Sequence, residues 1–447
     1  MTGFPIGLHR PVEHPGPPPD RADVVIIGAG IIGVMTAWYL AEQGLRAVVL
    51  EKGRVAGEQS SRNWGWIRQM GRDPAELPIM IEANRLWRDL QAETGEDLGL
   101  VRCGLTYLAR DQAAMARFGR WLDAVAGAGI DSQLLTAEAT RRLLPGLEMP
   151  VVGGLHTGSD MRAEPWVAVP ALARAAIRKG AVIVENCAAR ALDMVAGRVA
   201  GVWSEAGHIA TPEVLVAGGA WSSLFLRRHG IALPQLSVCA SAMATDPLPE
   251  MFAGGAADDD LAFRRRRDGG YTLALSDAHD FWVGPDAFRH LRAYWPQLRA
   301  APFGRRYRAM APRGYPDAWG TRRNWRADEE TPFERMRVLD PAPNMRSLAE
   351  VQRRFGRAWP DLGPVTSQAG WAGMIDTLPD EVPVVDRAPI QGLSMCTGMS
   401  GHGFGIGPGF GRVMADLIAG RDPGHDLSRF RLSRFSDGTR LQIGPHA

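Results

Sequence analysis

Directly after the β-branched run at residues 23–27 (DVVII) stand Gly28, Gly30 and Gly33, spaced G-x-G-x-x-G, and Glu51 closes the next apolar run. Each position has a chemical reason. Gly28 permits a tight turn, Gly30 lets the backbone approach a pyrophosphate, and Gly33 allows close helix packing. Ile31 and Ile32 open the helix whose N-terminus attracts phosphate charge, and Glu51, followed by Lys52, can accept ribose hydroxyls. NAD and FAD share this pattern, so it leaves the dinucleotide open. No second copy follows a predicted strand, since Gly127-Ala128-Gly129 trails a helix and lacks the third glycine.

A second glycine-dense stretch, Gly401-His402-Gly403-Phe404-Gly405, holds the only one of the ten histidines set in such a loop. No two histidines are spaced as metal ligands on a helix and no H-E-x-x-H occurs, so no metal site is expected. Arg264 to Arg267 lie on a predicted strand, where alternate side chains point to opposite faces, and one pair can face a site.

These groups need elements to hold them. The pattern predicts a strand at 23–27, a helix at 32–43 and a second strand, RAVVLE, forming a β-α-β unit. Helices are expected at 77–93, 112–126 and 167–178, and strands at 101–109, in AVIVENC and at 214–219. Between residues 236 and 361 the composition shifts to Arg, Trp, Pro and short strands, with Asp268-Gly269-Gly270 as a turn. From Trp371 the chain returns to a strand, LSMCTG, a glycine loop and a closing helix at 411–419.

Composition bounds the function classes. The 447 residues are 45 % hydrophobic and 22 % charged, enough for a large core and two or three domains. A net charge of +2 offers no field for nucleic acid, which is not expected as a partner. Lys52 and Lys179 are the only lysines. Four scattered cysteines, 103, 187, 239 and 396, read as reduced thiols of a cytoplasmic protein. The Pro-rich start lacks an apolar signal core and reads as a mobile arm. Glycines interrupt the apolar stretch 22–41, so no transmembrane segment is expected.

IIGAGIIGVMTAWYLAEQG…AVVLEK and GHGFGIGPGFGRVMADLIAG together resemble the FAD-dependent D-amino acid oxidase superfamily in its sarcosine and glycine oxidase (DAO-type) branch. RAEPWVAVPALARAAIRKGAVI, LVAGGAWSSLF and GWAGMIDTLPDEVPVVD extend the similarity over most of residues 21–425. The resemblance implies an α/β fold: a discontinuous, Rossmann-like FAD-binding domain (21–95, 150–225, 365–425) and a second, α+β substrate domain on an antiparallel sheet (96–149, 226–364). Residues 1–20 would be the arm and 426–447 a tail.

It also implies roles. Gly28, Gly30, Gly33 and Glu51 would hold the ADP half of FAD, and Ser60, Ser61, Arg62 and Asn63 would lie along the pyrophosphate and flavin. Ala188 would meet the adenine, and Gly218, Gly219 and Trp221 would pack beside the nucleotide. Gly373 and residues 401–405 would pass the flavin edge, where backbone N–H groups stabilise negative charge. Arg68, in SSRNWGWIRQ, would grip a substrate carboxylate with its planar fork. His402 and Trp371 would shape the pocket.

Two departures from the sarcosine oxidase pattern matter. Gly373-Met374-Ile375-Asp376 holds no cysteine for a covalent flavin, so non-covalent FAD is expected. Ala274 and Gly405 stand where that branch carries lysines, which weakens the case for dioxygen as oxidant. The expected activity is oxidation of the C–N bond of an amino acid or N-substituted amino acid, by hydride transfer to flavin N5, giving an imine that hydrolyses. Two alternatives stay open: a dehydrogenase delivering electrons to a quinone or carrier rather than O2, and a non-catalytic flavin-binding subunit.

Overall fold

A computed structural model describes residues 4–300 and 305–444. The runs VVII (Val24–Ile27) and AVVL (Ala47–Leu50) form neighbouring parallel strands, buried as β-branched strands covered on both faces must be. Their six-stranded sheet runs in the order Val384–Arg387, Leu393–Thr397, Glu213–Val216, Val24–Ile27, Ala47–Leu50, Val182–Val184, and only its first pair is antiparallel. The chain's first strand thus lies inside the sheet, with crossovers leaving on both sides. That arrangement opens a crevice at the strands' C-terminal ends.

A nine-stranded, mostly antiparallel sheet forms the other half, from Leu105–Ala109, Ser132–Thr136 and Gly153–Thr157 through Leu236–Thr245 and Tyr271–Trp282 to Ser367–Thr377. Two strands lie differently from the expected boundaries. Gly153–Thr157 pairs with Leu105–Ala109, and Ser367–Thr377 pairs along its length with Leu236–Thr245, so both belong to the antiparallel sheet. The predicted strand at 101–109 is broken at Cys103-Gly104, because Gly104 turns with φ +69°.

The glycine-dense stretch corrects the expectation of a loop. The closing helix runs Gly403–Ile418, eight residues earlier than predicted, and His402 is its N-terminal flanking residue. Close packing explains the glycines: a Cβ at Gly407 would lie 2.4 Å from Ile31 Cγ1, and one at Gly411 would lie 2.5 Å from Met35 Cβ. This helix therefore rests almost backbone to backbone on helix Ile31–Glu42, which is buried nearly all round.

The Pro-rich start is not a free arm over its described residues. Buried Glu185 accepts the N–H groups of Glu13 and His14 as well as that of Val55, and Ile6 donates to Ser61 Oγ. Phe4 stacks on Trp166 at 4.3 Å. No helix among the described residues is long and apolar enough to cross a membrane.

Candidate active site

A cavity of about 390 Å³ opens at the C-terminal ends of the parallel strands and extends to the start of helix Gly403–Ile418 and the facing wall of the antiparallel sheet. Gly28, Gly30, Ile31, Ile32, Glu51 and Lys52 line one end, with Ser60, Arg62, Asn63, Gly218, Gly219 and Trp221. Arg68, Gly373 and all five residues 401–405 also line it.

Local geometry suits this end to a dinucleotide. Gly28 sits at φ +108°, and a Cβ there would meet the Ala217 carbonyl at 2.6 Å. A Cβ at Gly33 would lie 1.9 Å from the Gly28 carbonyl, so Gly33 lies behind the cavity as a packing glycine. Helix Ile31–Glu42 starts at Gly30, which has no side chain to cap it, and carries no acid in its first turn; Ser60 Oγ accepts the Ile31 N–H at 2.9 Å, and the positive terminus faces the cavity. Glu51 accepts the N–H of Ala29 at 2.9 Å and of Gly53 at 2.7 Å. Burial pushes its carboxyl up to about 7, against the opposing pull of Lys52 and those two N–H groups. Lys52 is fixed by Glu58 and the Met336 carbonyl and lies 4.5 Å over the Trp221 ring.

Three charged side chains and an imidazole converge at the other end. Arg72 donates to Glu76 Oε2 at 3.3 Å, to the His402 carbonyl at 3.2 Å and to the Arg68 carbonyl at 3.1 Å. Arg68 bonds the Met70 carbonyl and lies 5.4 Å from the Tyr107 ring centre. Burial works against ionising Glu76, but the His402 imidazole beside it and the Arg72 guanidinium bonded to it outweigh burial and hold the carboxyl below its usual range. His402 is pushed down, first by burial and then by the Arg72 and Arg68 charges, against the pull of Glu76. Its Nδ1 is buried without a hydrogen-bond partner. A neutral imidazole beside two guanidinium groups suits a substrate carrying a carboxylate and an amine.

Besides Gly33, three expected residues do not line the cavity. Trp371 is turned into a cluster with Phe4 and Trp166, its Nε1 donating to the Arg62 carbonyl at 3.0 Å. Ser61 is bonded to Ile6 and Glu58, and Ala188 donates its N–H to Glu205 at 2.6 Å. Arg264 to Arg267 also lie elsewhere. Arg264 forks onto Glu164, Arg266 ties Tyr271 and Thr245 carbonyls together, Arg265 bonds the Leu248 carbonyl and Arg267 pairs with Asp97. The two fully buried members hold loops rather than a ligand.

The cavity also contains residues that sequence reasoning missed: Arg72, Tyr107, Trp66, His279, Gln59 and Asp376. Arg72 carried one signal, its four-residue spacing from both Arg68 and Glu76. Asp376 is buried and pushed up by that burial, while accepting the Gly398 N–H at 2.8 Å. Tyr107 and His279 carried none, because strand pairing alone brings them in.

A crevice at the switch point of a parallel sheet, with a glycine turn, a helix start and a carboxylate closing the second strand, defines a dinucleotide-binding α/β protein. The chain belongs to the DAO family of FAD dependent oxidoreductases, whose family model matches residues 23–417. The sarcosine oxidase subunit beta of Rhizobium meliloti is 26 % identical over 437 residues, covering 95 % of this chain and 91 % of its own. Mouse mitochondrial sarcosine dehydrogenase is 30 % identical over 230 residues, half of this chain, so the match spans only a quarter of that relative's length. The structure of L-amino acid deaminase from Proteus myxofaciens in complex with anthranilate superposes with a TM-score of 0.90, at 29 % identity, covering 95 % of this chain and 96 % of that one.

Proposed function

We propose that this chain oxidises the C–N bond of an amino acid or N-substituted amino acid with non-covalently held FAD. One observation carries the reading: a single cavity joins the Gly28–Glu51 nucleotide end to the Arg68, Arg72, Glu76 and His402 cluster. Bound FAD supplies a two-electron acceptor for the hydride of the C–H bond next to nitrogen. In the same reading the FAD-binding domain is discontinuous, built on the parallel sheet, and the antiparallel sheet forms the substrate side.

The side chains do the rest. Glu51 holds ribose hydroxyls, the helix start at Ile31 faces the pyrophosphate, and Gly401 to Gly405 border the flavin. Arg68 grips the substrate carboxylate, and Arg72 is the positioning residue behind it, holding the His402 backbone and Glu76. Neutral His402 orients the substrate amine in its unprotonated form. Among the described residues one lysine lines the cavity, Lys52, and Glu58 ties it to the nucleotide end. That favours an acceptor other than O2.

The test is the visible spectrum of the purified protein, followed without oxygen as D-amino acids, L-amino acids and N-substituted glycines are added. Bleaching by one class is expected and identifies the substrate type. A yellow protein that no member bleaches retires the substrate reading in favour of a flavin-binding subunit. Turnover with an artificial dye but not with O2 separates dehydrogenase from oxidase.

A further inference from the structure

Four large apolar side chains stand in water on one segment: Phe288 is 62 % exposed, Leu291 45 %, Trp295 50 % and Trp319 53 %. Leu291 and Trp295 are one turn apart on helix Leu291–Ala300, so they share a face, while Tyr294 and Gln297 are buried on the opposite one. Phe288 precedes them, and its ring lies 6.0 Å from that of Trp319. Exposed apolar groups gathered in this way mark an interaction surface.

The charge around them selects the partner. Residues 285–300 and 306–319 carry six arginines against two aspartates, in a chain whose whole net charge is +2. Arg292, Arg299 and Arg313 are exposed and form no salt bridge among the described residues. The Arg299 guanidinium lies 5.3 Å over the Trp295 ring, on the same face as the apolar groups. A second copy placed face to face would set arginine against arginine. Tryptophan, phenylalanine and leucine interleaved with arginine instead suit the headgroup layer of an anionic bilayer, where rings and stems sink in and guanidinium groups meet phosphate.

We propose that the surface formed by Phe288, Leu291, Trp295 and Trp319 with Arg292 and Arg299 docks this protein on an anionic lipid bilayer. The inner face of the same helix is one layer from the cavity: Tyr294 donates to the Thr377 carbonyl at 2.7 Å and packs with Ile375, which lines the cavity. Docking therefore sets the cavity wall beside the lipid. The surface goes beyond the catalytic reading and does not rest on it, because binding is measured without turnover.

The experiment is co-sedimentation of the full-length, FAD-loaded protein with phosphatidylcholine vesicles, with and without phosphatidylglycerol. Binding to the anionic vesicles is expected, weakening as salt shortens the Debye length from about 10 Å at 0.1 M to about 3 Å at 1 M. Arg292→Glu and Arg299→Glu should each weaken it by about fivefold or more. Phe288→Ser with Trp295→Ser should abolish it while the flavin spectrum stays unchanged. Absence of binding, equal binding without phosphatidylglycerol, or unaltered binding by these variants overturns the proposal. So does a dimer in solution that Phe288→Ser with Trp295→Ser dissociates and anionic vesicles do not displace, since a second copy then covers the surface.

Discussion

Nδ1 of His402 lies 3.7 Å from Oε2 of Glu76, and Arg72 binds both residues, reaching the Glu76 carboxylate and the His402 carbonyl across 330 positions of sequence. Glu76 and Arg72 are almost fully buried, so each is the other's main charge compensation. The pair sets the protonation of the imidazole that borders the cavity. Burial and the two arginines favour its neutral form, and Glu76 alone opposes them.

Glu76→Gln should therefore lower the His402 pKa further, and the acid limb of kcat/KM should move to lower pH. The neutral histidine persists to lower pH once the carboxylate is gone. The same substitution leaves the buried Arg72 charge unbalanced, at a cost of about 3 kcal/mol in unfolding free energy. A pH profile and a urea titration check both. An acid limb that stays in place removes His402 from that limb.

Arg68→Ala should raise KM for the bleaching substrate by about 10–100-fold, the loss of a charged hydrogen-bonded grip, with FAD content unchanged. Steady-state kinetics beside the flavin absorbance decides it. An unchanged KM takes Arg68 out of the assignment.

With Glu51 on the ribose hydroxyls as proposed, FAD binding should depend on pH. Burial pushes the Glu51 carboxyl up from 4.5 to about 7 in the unliganded fold, whereas two ribose hydroxyls can donate one to each oxygen only when it is ionised. Affinity should fall about tenfold per unit as pH drops below 7, until the carboxyl of the complex itself protonates. The stability of the unliganded protein runs the other way. Because the folded pKa is raised, the fold holds more protons than the unfolded chain between 4.5 and 7, so this group's contribution is lost as pH rises through that window. Glu51→Gln should flatten both curves, read by flavin fluorescence and by thermal melts.

Two glycines should respond differently to an added methyl. At Gly407 the methyl meets the Ile31 side chain, which can shift, so Gly407→Ala should cost about 1–3 kcal/mol and leave FAD bound. At Gly33 it meets the Gly28 carbonyl at 1.9 Å, where backbone has to move, so Gly33→Ala should lose FAD. Melting temperature and flavin stoichiometry separate the two. Retention of full FAD by Gly33→Ala removes that turn from the nucleotide end.

Much of the nucleotide end was legible because it is local chemistry. A β-branched run, three glycines at fixed spacing and an apolar run ending in an acid determine a strand, a turn, a helix start and a second strand with few competing arrangements. The closing glycine stretch was misread for the opposite reason. Alternate glycines read as a loop when considered alone, and only the Ile31 and Met35 side chains lying against Gly407 and Gly411 turn them into a helix face.

The sequence by itself determined the cofactor-binding unit, the family and the alternation of strands and helices, since these rest on contacts between near neighbours and on apolar periodicity. Tertiary structure alone decided the charged end of the cavity. Arg72, Glu76 and His402 meet because helix Gly403–Ile418 packs close on its neighbours, and Tyr107 and His279 arrive through strand register. Trp371 shows the limit: from that residue on its strand is buried on both faces, so residue type could not say that its ring would meet Phe4 and Trp166 instead of the cavity. Arg264 and Arg266 show it again, because four arginines in a row carry no mark of which will find a buried carboxylate. Burial and long-range pairing are properties of the folded chain as a whole, and no local pattern encodes them.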